Sequence, residues 1–448
     1  MTDPVGPVPE ALADILTRRR IAIGRDSTGR VVVARPDSLL VRVGDSAEHR
    51  DNIATWVGRW DGDQAQRIAE PPAERSLRFE TVRFPSDYFD DVATTLEGVA
   101  GTRDRLNAEG HRVELNHVVL GAPSVGSIIG VPATRAGDVV FTGQAAKNAA
   151  GVSVLRTSAQ PAIPPRVLRE ALRIDGRRPP RVLVMDSGLR TVDGSGETPE
   201  HPELASCFVH QPWLLRPEER EVDDEDESDV DQTGTLDFQA GHGTFISGIV
   251  RQICPDAELH TCGVLTSFGE GSVSGVLHAL QRVTNLSGPF DVVVMSFGAY
   301  FTNDDPGLFA PELTRLLGNA IAVGSAGNDG ASRPYFPAAL PDVIGVGGLD
   351  AGGRAWFTNY GSWVDACAPA VDVVSTFFAD VSEAIDGAPL RHYDGWARWS
   401  GTSFAAPKVA ALIAQEMYLH GGDGHDAWRR LTSTKHLRHG DLGVVFNV

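Results

Sequence analysis

Two rhythms of apolar and polar residues divide the chain near Pro180. Before it, Arg30 to Val43 holds the runs Val31-Val32-Val33 and Leu39-Leu40-Val41, and Leu77 to Phe84 alternates apolar with charged positions, so both stretches predict strands. Asp90 to Ala108 places Val92, Leu96, Val99 and Leu106 near one face of an amphipathic helix that Gly110 would stop. Val113 to Leu120 predicts a further strand, and the whole pattern describes a small mixed α+β domain over residues 1–132. From Ala133 to Pro165 the rhythm fades, ending in Gln160-Pro161-Ala162-Ile163-Pro164-Pro165. Prolines remove backbone donors and disfavour helix, so residues 133–173 are expected to be a linker, and any processing cut is expected there. Arg177-Arg178 reads as solvated charge before Pro179-Pro180 rather than as a dibasic cleavage site.

Beyond Pro180 the apolar runs become continuous. Arg181 to Met185, Glu258 to Leu265, Asp291 to Met295, Asn319 to Gly324 and Val343 to Val346 read as strands buried on both faces. Between and after them, Gly243 to Ile253, Val273 to Val283, Pro311 to Leu317 and Ser403 to Leu419 read as helices. Strands alternating with helices predict a doubly wound, mainly parallel α/β sheet over residues 174–448, with functional groups at the carboxyl ends of its strands.

A length of 448 residues suits two domains of unequal size. Hydrophobic content of 42% and charged content of 22% exclude a fibrous or disordered chain. The net charge of −19 is carried almost wholly after Pro180, which argues against a nucleic-acid partner. Met1-Thr2-Asp3-Pro4-Val5-Gly6-Pro7 lacks a basic start followed by an apolar run, and no window reaches the length of a membrane span, so the default expectation is a cytoplasmic protein without a membrane partner. Cys207, Cys254, Cys262 and Cys367 have no Cys-x-x-Cys spacing and read as reduced, mostly buried thiols. The acidic run from Glu218 to Asp231 reads as a mobile surface loop. Asp229-x-Asp231-x-Thr233-Gly234 is a poor calcium loop because no glutamate stands six residues past the glycine.

Three short segments carry chemistry in the order Asp, His, Ser. Asp186-Ser187-Gly188 ends a predicted strand, Gly241-His242-Gly243-Thr244 opens a predicted helix, and Ser400-Gly401-Thr402-Ser403-Phe404-Ala405-Ala406-Pro407 leads into another. A serine hydroxyl needs a base within hydrogen-bond reach and a third group to fix the base's tautomer. Ser403, His242 and Asp186 take those roles. Singly, Asp186 could cap a turn, His242 could be a satisfied core histidine and Ser403 an N-cap, but all three in order on suitable elements favour catalysis. A helix N-terminus also places backbone donors and the dipole beside a developing oxyanion.

From about Ile174 onward these motifs resemble the subtilisin-like serine proteases, or subtilases. The resemblance implies a serine endopeptidase working through an acyl-enzyme. It makes Ser325-Ala326-Gly327-Asn328 the segment whose Asn328 supplies an oxyanion donor beside the Ser403 backbone N–H, with Ser325, Ala326 and Gly327 flooring the cleft. It makes Ser296-Phe297-Gly298 and Ser267-Phe268-Gly269 the two strands that hold an extended peptide substrate. Glu270 and Glu312 are weaker candidates for favouring basic substrate side chains, and Phe404 stands where subtilases usually carry methionine. Members of the family commonly carry a small N-terminal domain that assists folding and blocks the cleft, which is the expected role of residues 1–132 as an intramolecular inhibitor. They often bind calcium, so a structural calcium is compatible with the resemblance while the chemistry requires no cofactor. A peptide-binding module that has lost turnover and a dedicated maturation protease for one peptide precursor are the alternative readings.

Overall fold

The computed structural model describes residues 21–42, 66–67, 77–83, most of 101–121, 157–158, most of 174–192 and 198–208, 236–383 except 238, 391–433 and 437–448. The chain divides into two compact units, neither a single stretch of sequence. One combines Met1–Val118 with Ser272–Asn285 and Ala299–Leu316; the other combines Val119–Gly271, Leu286–Gly298 and Leu317–Val448. This differs from the expected boundaries of 132 and 174.

In the first unit, Ala22–Arg25, Phe79–Arg83 and the Val113–Val118 part of strand Val113–Gly121 all pair antiparallel with the long strand Val31–Arg42. The register against Val113–Gly121 slips between Ala34 and Leu39, where Pro36 has no N–H to give to a ladder. Helices Val273–Ser287 and Phe309–Leu317 fall mainly in this unit, not with the parallel sheet as their spacing suggested. Buried polar groups explain the grouping. Asn116 Nδ2 donates to both Ser38 Oγ and Ser274 Oγ at 3.0 Å, and Leu308 N donates to Glu114 Oε2 at 2.8 Å. Of the helix expected over Asp90 to Ala108, positions 101, 103–104 and 106–108 are helical and the remainder lies outside the described residues. The acidic run 218–231 also lies outside them, as does 133–173 apart from 157–158. Thr157–Ser158 form a short strand against Trp396–Trp399, which a linker reading did not anticipate.

The second unit is built on the parallel sheet. Arg181–Asp186 has Glu258–Gly263 on one side and Val292–Met295 on the other, followed by Ile321–Ser325, Val343–Asp350, Ala366–Pro369 and Gly443–Val445, all parallel. Val182, Leu183, Val184 and Met185 are all buried, as a sheet covered on both faces requires. Helices His242–Ile253 and Ala406–His420 pack on each other and on this sheet. The strand order reverses around Arg181–Asp186: the next strand in sequence lies on one side of it and every later one on the other. That reversal opens a crevice at the carboxyl ends of the central strands. Arg177 and Arg178 are both engaged, the first with the Tyr418 carbonyl at 2.6 Å and the second in an ion pair with Asp291 at 2.6 Å.

None of the four cysteines is in a disulfide, and all four are buried. Burial pushes the Cys207 thiol up to about 11 and those of Cys254 and Cys367 to about 12, so these thiols are protonated and unreactive at neutral pH. Two buried histidines make the fold sensitive to acid. His201 stacks edge-on against Trp396 and His260 against Phe290, and burial lowers each from an ordinary value of 6.5 to about 4. The unfolded chain therefore binds these protons more readily than the folded chain. Stability is undiminished above about pH 6.5 and falls as the pH drops toward 4, by up to about 1.4 kcal/mol per pH unit for each histidine. Replacing His201 and His260 together by glutamine is expected to flatten the decline of Tm between pH 6.5 and 4, measured by calorimetry across that range. An unchanged slope would assign the acid sensitivity to the carboxylates.

Candidate active site

Four neighbouring strands deliver their carboxyl ends to one place. Glu258–Gly263 leads to Ser267, Phe268 and Gly269; Arg181–Asp186 ends on Asp186; Val292–Met295 leads to Ser296, Phe297 and Gly298; and Ile321–Ser325 leads to Ala326, Gly327 and Asn328. His242 and Ser403 arrive from helix starts. His242 is the first residue of His242–Ile253, and Ser403 lies in the 3₁₀ turn Thr402–Phe404 that runs into Ala406–His420. Pro407 sits in the first helical turn, where its missing N–H costs nothing.

Asp186 Oδ1 accepts from two donors, the Ser187 backbone N–H at 2.8 Å and His242 Nδ1 at 2.6 Å. The Ser187 hydroxyl accepts from Gly243 N at 2.9 Å, tying the strand end to the helix start. A Cβ on Gly243 would stand 2.1 Å from the Gly188 carbonyl oxygen, so only glycine lets the two backbones meet this closely. Asp186, His242 and Ser403 are 1%, 0% and 0% exposed, which places the group in a medium where charge interactions are strong. The imidazole is held between Trp399 and Phe404, each with its ring centre 5.4 Å away. With Nδ1 bonded to Asp186, Nε2 is the nitrogen left for a reaction, and it has no hydrogen-bond partner among the described residues.

Ser403 Oγ donates to the Ser296 carbonyl at 3.2 Å, and Ser296 Oγ in turn donates to the Ser403 carbonyl at 2.9 Å. His242 Nε2 is not bonded to this hydroxyl. Asn328 is oriented by Thr402: its Oδ1 accepts from Thr402 N at 2.9 Å and from Thr402 Oγ1 at 2.8 Å. The Nδ2 end consequently faces Gly401, within 3.3 Å of where a Cβ on that residue would stand. Thr402 belongs to the Ser-Gly-Thr-Ser motif, yet nothing in its sequence spacing indicated that it would set the Asn328 amide. Ser325, Ala326 and Gly327 are buried below this group; Ala326 N donates to the Val346 carbonyl and Gly327 N to Thr402 Oγ1.

The two sides of the cleft differ. Phe297–Gly298 is a strand and pairs antiparallel with Gly121 and Leu120, which belong to the same compact unit. Ser267–Gly269, by contrast, is not a strand: Gly269 N bonds to the Thr266 carbonyl at 2.8 Å, closing a turn in which Gly269 has φ +90°. The strand reading fails because this geometry needs a glycine in the left-handed region, which Ser-Phe-Gly supplies. The turn still offers the Gly269 carbonyl, which accepts from Gly121 N at 2.8 Å, and Tyr335 Oη donates to the Leu120 carbonyl at 3.1 Å. Ser267 Oγ anchors the turn to buried Asp237 at 2.6 Å. Leu120 and Gly121 are thus held on both sides in the arrangement of an extended peptide. The sequence marked them as the end of a strand and offered no sign of a place in the cleft.

Neither acidic specificity candidate presents an open carboxylate. Glu270 is buried and accepts from Thr266 Oγ1 at 2.7 Å, while Glu312 is buried in an ion pair with Arg315 at 2.7 Å. Among the described residues no group of three or more His, Cys, Asp or Glu side chains gathers to hold a metal ion. No described helix is long and apolar enough to cross a membrane.

The model of the subtilase family, peptidase S8, matches residues 179–442. An alkaline elastase from Bacillus sp. strain YaB is 28% identical over 211 residues, covering 44% of this chain and 49% of that protein. Subtilisin-like protease 2 of Pseudogymnoascus destructans is 34% identical over 188 residues, 40% of this chain and 43% of its own. Subtilisin Savinase of Lederbergia lenta is 28% identical over 218 residues, 44% of this chain and 69% of its own. The chain therefore spans about half the length of the first two of these curated relatives.

Proposed function

Because the chain belongs to the subtilase family, we propose that it is a serine endopeptidase whose cleft is held closed by its own segment Val119–Gly121. The observation that carries this reading is the buried Asp186–His242 pair at 2.6 Å beside Ser403, in a cleft where Leu120 and Gly121 lie paired as a peptide would. In the reaction, Ser403 Oγ turns from the Ser296 carbonyl toward His242 Nε2 and gives up its proton as the oxygen attacks the substrate carbonyl. His242 becomes an imidazolium stabilised by Asp186, then hands the proton to the departing amine as the peptide C–N bond breaks. Water, deprotonated in turn by His242, hydrolyses the acyl-enzyme and regenerates Ser403. Negative charge on the tetrahedral oxygen is met by Asn328 Nδ2 and the Ser403 backbone N–H. Protein or peptide is the substrate class, bound by strand addition along Phe297–Gly298.

The bond from Ser403 to the Ser296 carbonyl also suits a second reading, a peptide-binding module without turnover. One substitution separates them. Gly121→Pro removes the N–H that donates to the Gly269 carbonyl and weakens the segment's hold by about one hydrogen bond. Labelling by a fluorophosphonate probe is expected to run about five- to tenfold faster in Gly121→Pro than in the unaltered full chain. Equal rates would remove the segment as the restraint, and absence of labelling in both would favour the module without turnover.

A further inference from the structure

Gln239 lies three residues before the candidate catalytic histidine, and its polar end is unanswered. The residue is 1% exposed, and both Nε2 and Oε1 are buried without a hydrogen-bond partner among the described residues. Its backbone is fixed at both ends, with Gln239 N donating to the Ser267 carbonyl at 2.7 Å and His242 N donating to the Gln239 carbonyl at 2.9 Å. The side chain fills the space over Gly269, where a Cβ would stand 2.4 Å from Gln239 Cγ. Beyond it lies Gly121: a Cβ there would be 3.6 Å from both Cδ and Oε1 of Gln239 and 3.1 Å from Leu265 Cδ1.

A buried amide with neither end paired is costly. Here the orphan faces the one position of the cleft strand that has no side chain. We propose that Gln239 is a specificity-determining residue that reads the substrate side chain opposite Phe297, the position Gly121 occupies in the closed chain, and selects a small hydrogen-bonding group there. A hydroxyl or carboxamide one or two bonds beyond Cβ comes within the 2.5–3.2 Å range of the Gln239 amide. Leu265 limits the size and disfavours branching at Cβ, so serine and asparagine are favoured over glycine, alanine, valine and leucine. Glycine at 121 leaves the amide unpaired, which makes the chain's own segment a weaker occupant than a matched substrate and therefore one that can be displaced. This inference rests on the protease reading for its substrate but not for its recognition geometry.

The test is a double-mutant cycle on the full chain, comparing Gly121→Ser with Gly121→Ala in the presence of Gln239 and of Gln239→Leu, with Tm as the readout. The serine variant is expected to melt about 2–4 °C above the alanine variant when Gln239 is present, and the difference is expected to vanish in the Gln239→Leu background. Gln239→Met serves as the second background where leucine compromises folding. Equal Tm values for serine and alanine, or a difference that survives the loss of Gln239, would overturn the proposal. In parallel, matched peptides with serine or alanine opposite Phe297 are cut by the Gly121→Pro chain, with an expected serine preference of about five- to tenfold in kcat/KM that Gln239→Leu removes. A failed protease reading shows itself differently: no peptide is cut and Ser403 takes no fluorophosphonate, while the coupling in Tm persists.

Discussion

Ser403→Ala is expected to lower peptide hydrolysis by about 10⁶-fold in kcat, the scale on which removal of a triad serine acts in a subtilisin. Ser403 lies in the turn Thr402–Phe404 that opens Ala406–His420, next to Thr402, which turns the Asn328 amide. The substitution removes the nucleophile while leaving the Ser296 Oγ bond to the Ser403 carbonyl intact. The 3.2 Å bond from Ser403 Oγ to the Ser296 carbonyl is lost, and Tm is expected to change by no more than a few degrees. Hydrolysis of a peptide substrate, with calorimetry on the same sample, checks both halves. Residual activity within a hundredfold of the unaltered chain would place the nucleophile elsewhere.

The second large effect belongs to Asp186. Its Oδ1 is an acceptor for two donors at once, Ser187 N and His242 Nδ1. In Asp186→Asn an amide nitrogen at that position would set donor against donor and favour the wrong imidazole tautomer. An amide oxygen there would keep both bonds but remove the negative charge that stabilises the imidazolium. Either orientation slows the step in which His242 takes the serine proton, and kcat near neutral pH is expected to fall by about 10⁴-fold, as it does when the triad carboxylate of a chymotrypsin-like protease is replaced in this way. Fluorophosphonate labelling is expected to slow in parallel, since it uses the same proton transfer. A rate within tenfold of the unaltered chain would remove Asp186 from the orienting role.

The parts legible in the sequence were those with a strong local signal. Arg181–Asp186, Val292–Met295 and Ile321–Ser325 are continuous apolar runs, which is how strands buried on both faces must read. His242–Ile253 and the helix after Ser403 announce themselves by glycines before an apolar stripe and by Pro407 in the first turn. Ala366–Pro369 and Gly443–Val445 escaped notice because four and three residues rich in small side chains carry no period. The grouping of Val273–Ser287 and Phe309–Leu317 with the N-terminal sheet was equally hidden. It depends on single buried polar residues, Asn116 and Glu114, finding partners far along the chain.

The site shows the same division. Asp186, His242 and Ser403 could be picked out because their chemistry needs particular residue types in recognisable turns. Thr402, Ser187 and Gln239 could not, because each acts through a distance to another residue that only the folded chain sets. Ser267–Gly269 departs from the expected strand for a related reason: a short Ser-Phe-Gly stretch looks the same whether it extends or turns, and φ +90° at Gly269 decides it. Leu120 and Gly121 read as the end of a strand, which they are, but the partner strand Phe297–Gly298 lies about 180 residues away in sequence.

Intact-mass analysis with peptide mapping after fluorophosphonate treatment reads out whether one buried serine is activated by the Asp186–His242 pair. The full chain and its Gly121→Pro variant are expected to gain a single adduct, mapped to Ser403, and to lose it in Asp186→Asn over the same interval. An adduct on any other residue, or none on Ser403 even after Gly121→Pro loosens the cleft, would rule out Ser403 as a serine activated by that pair.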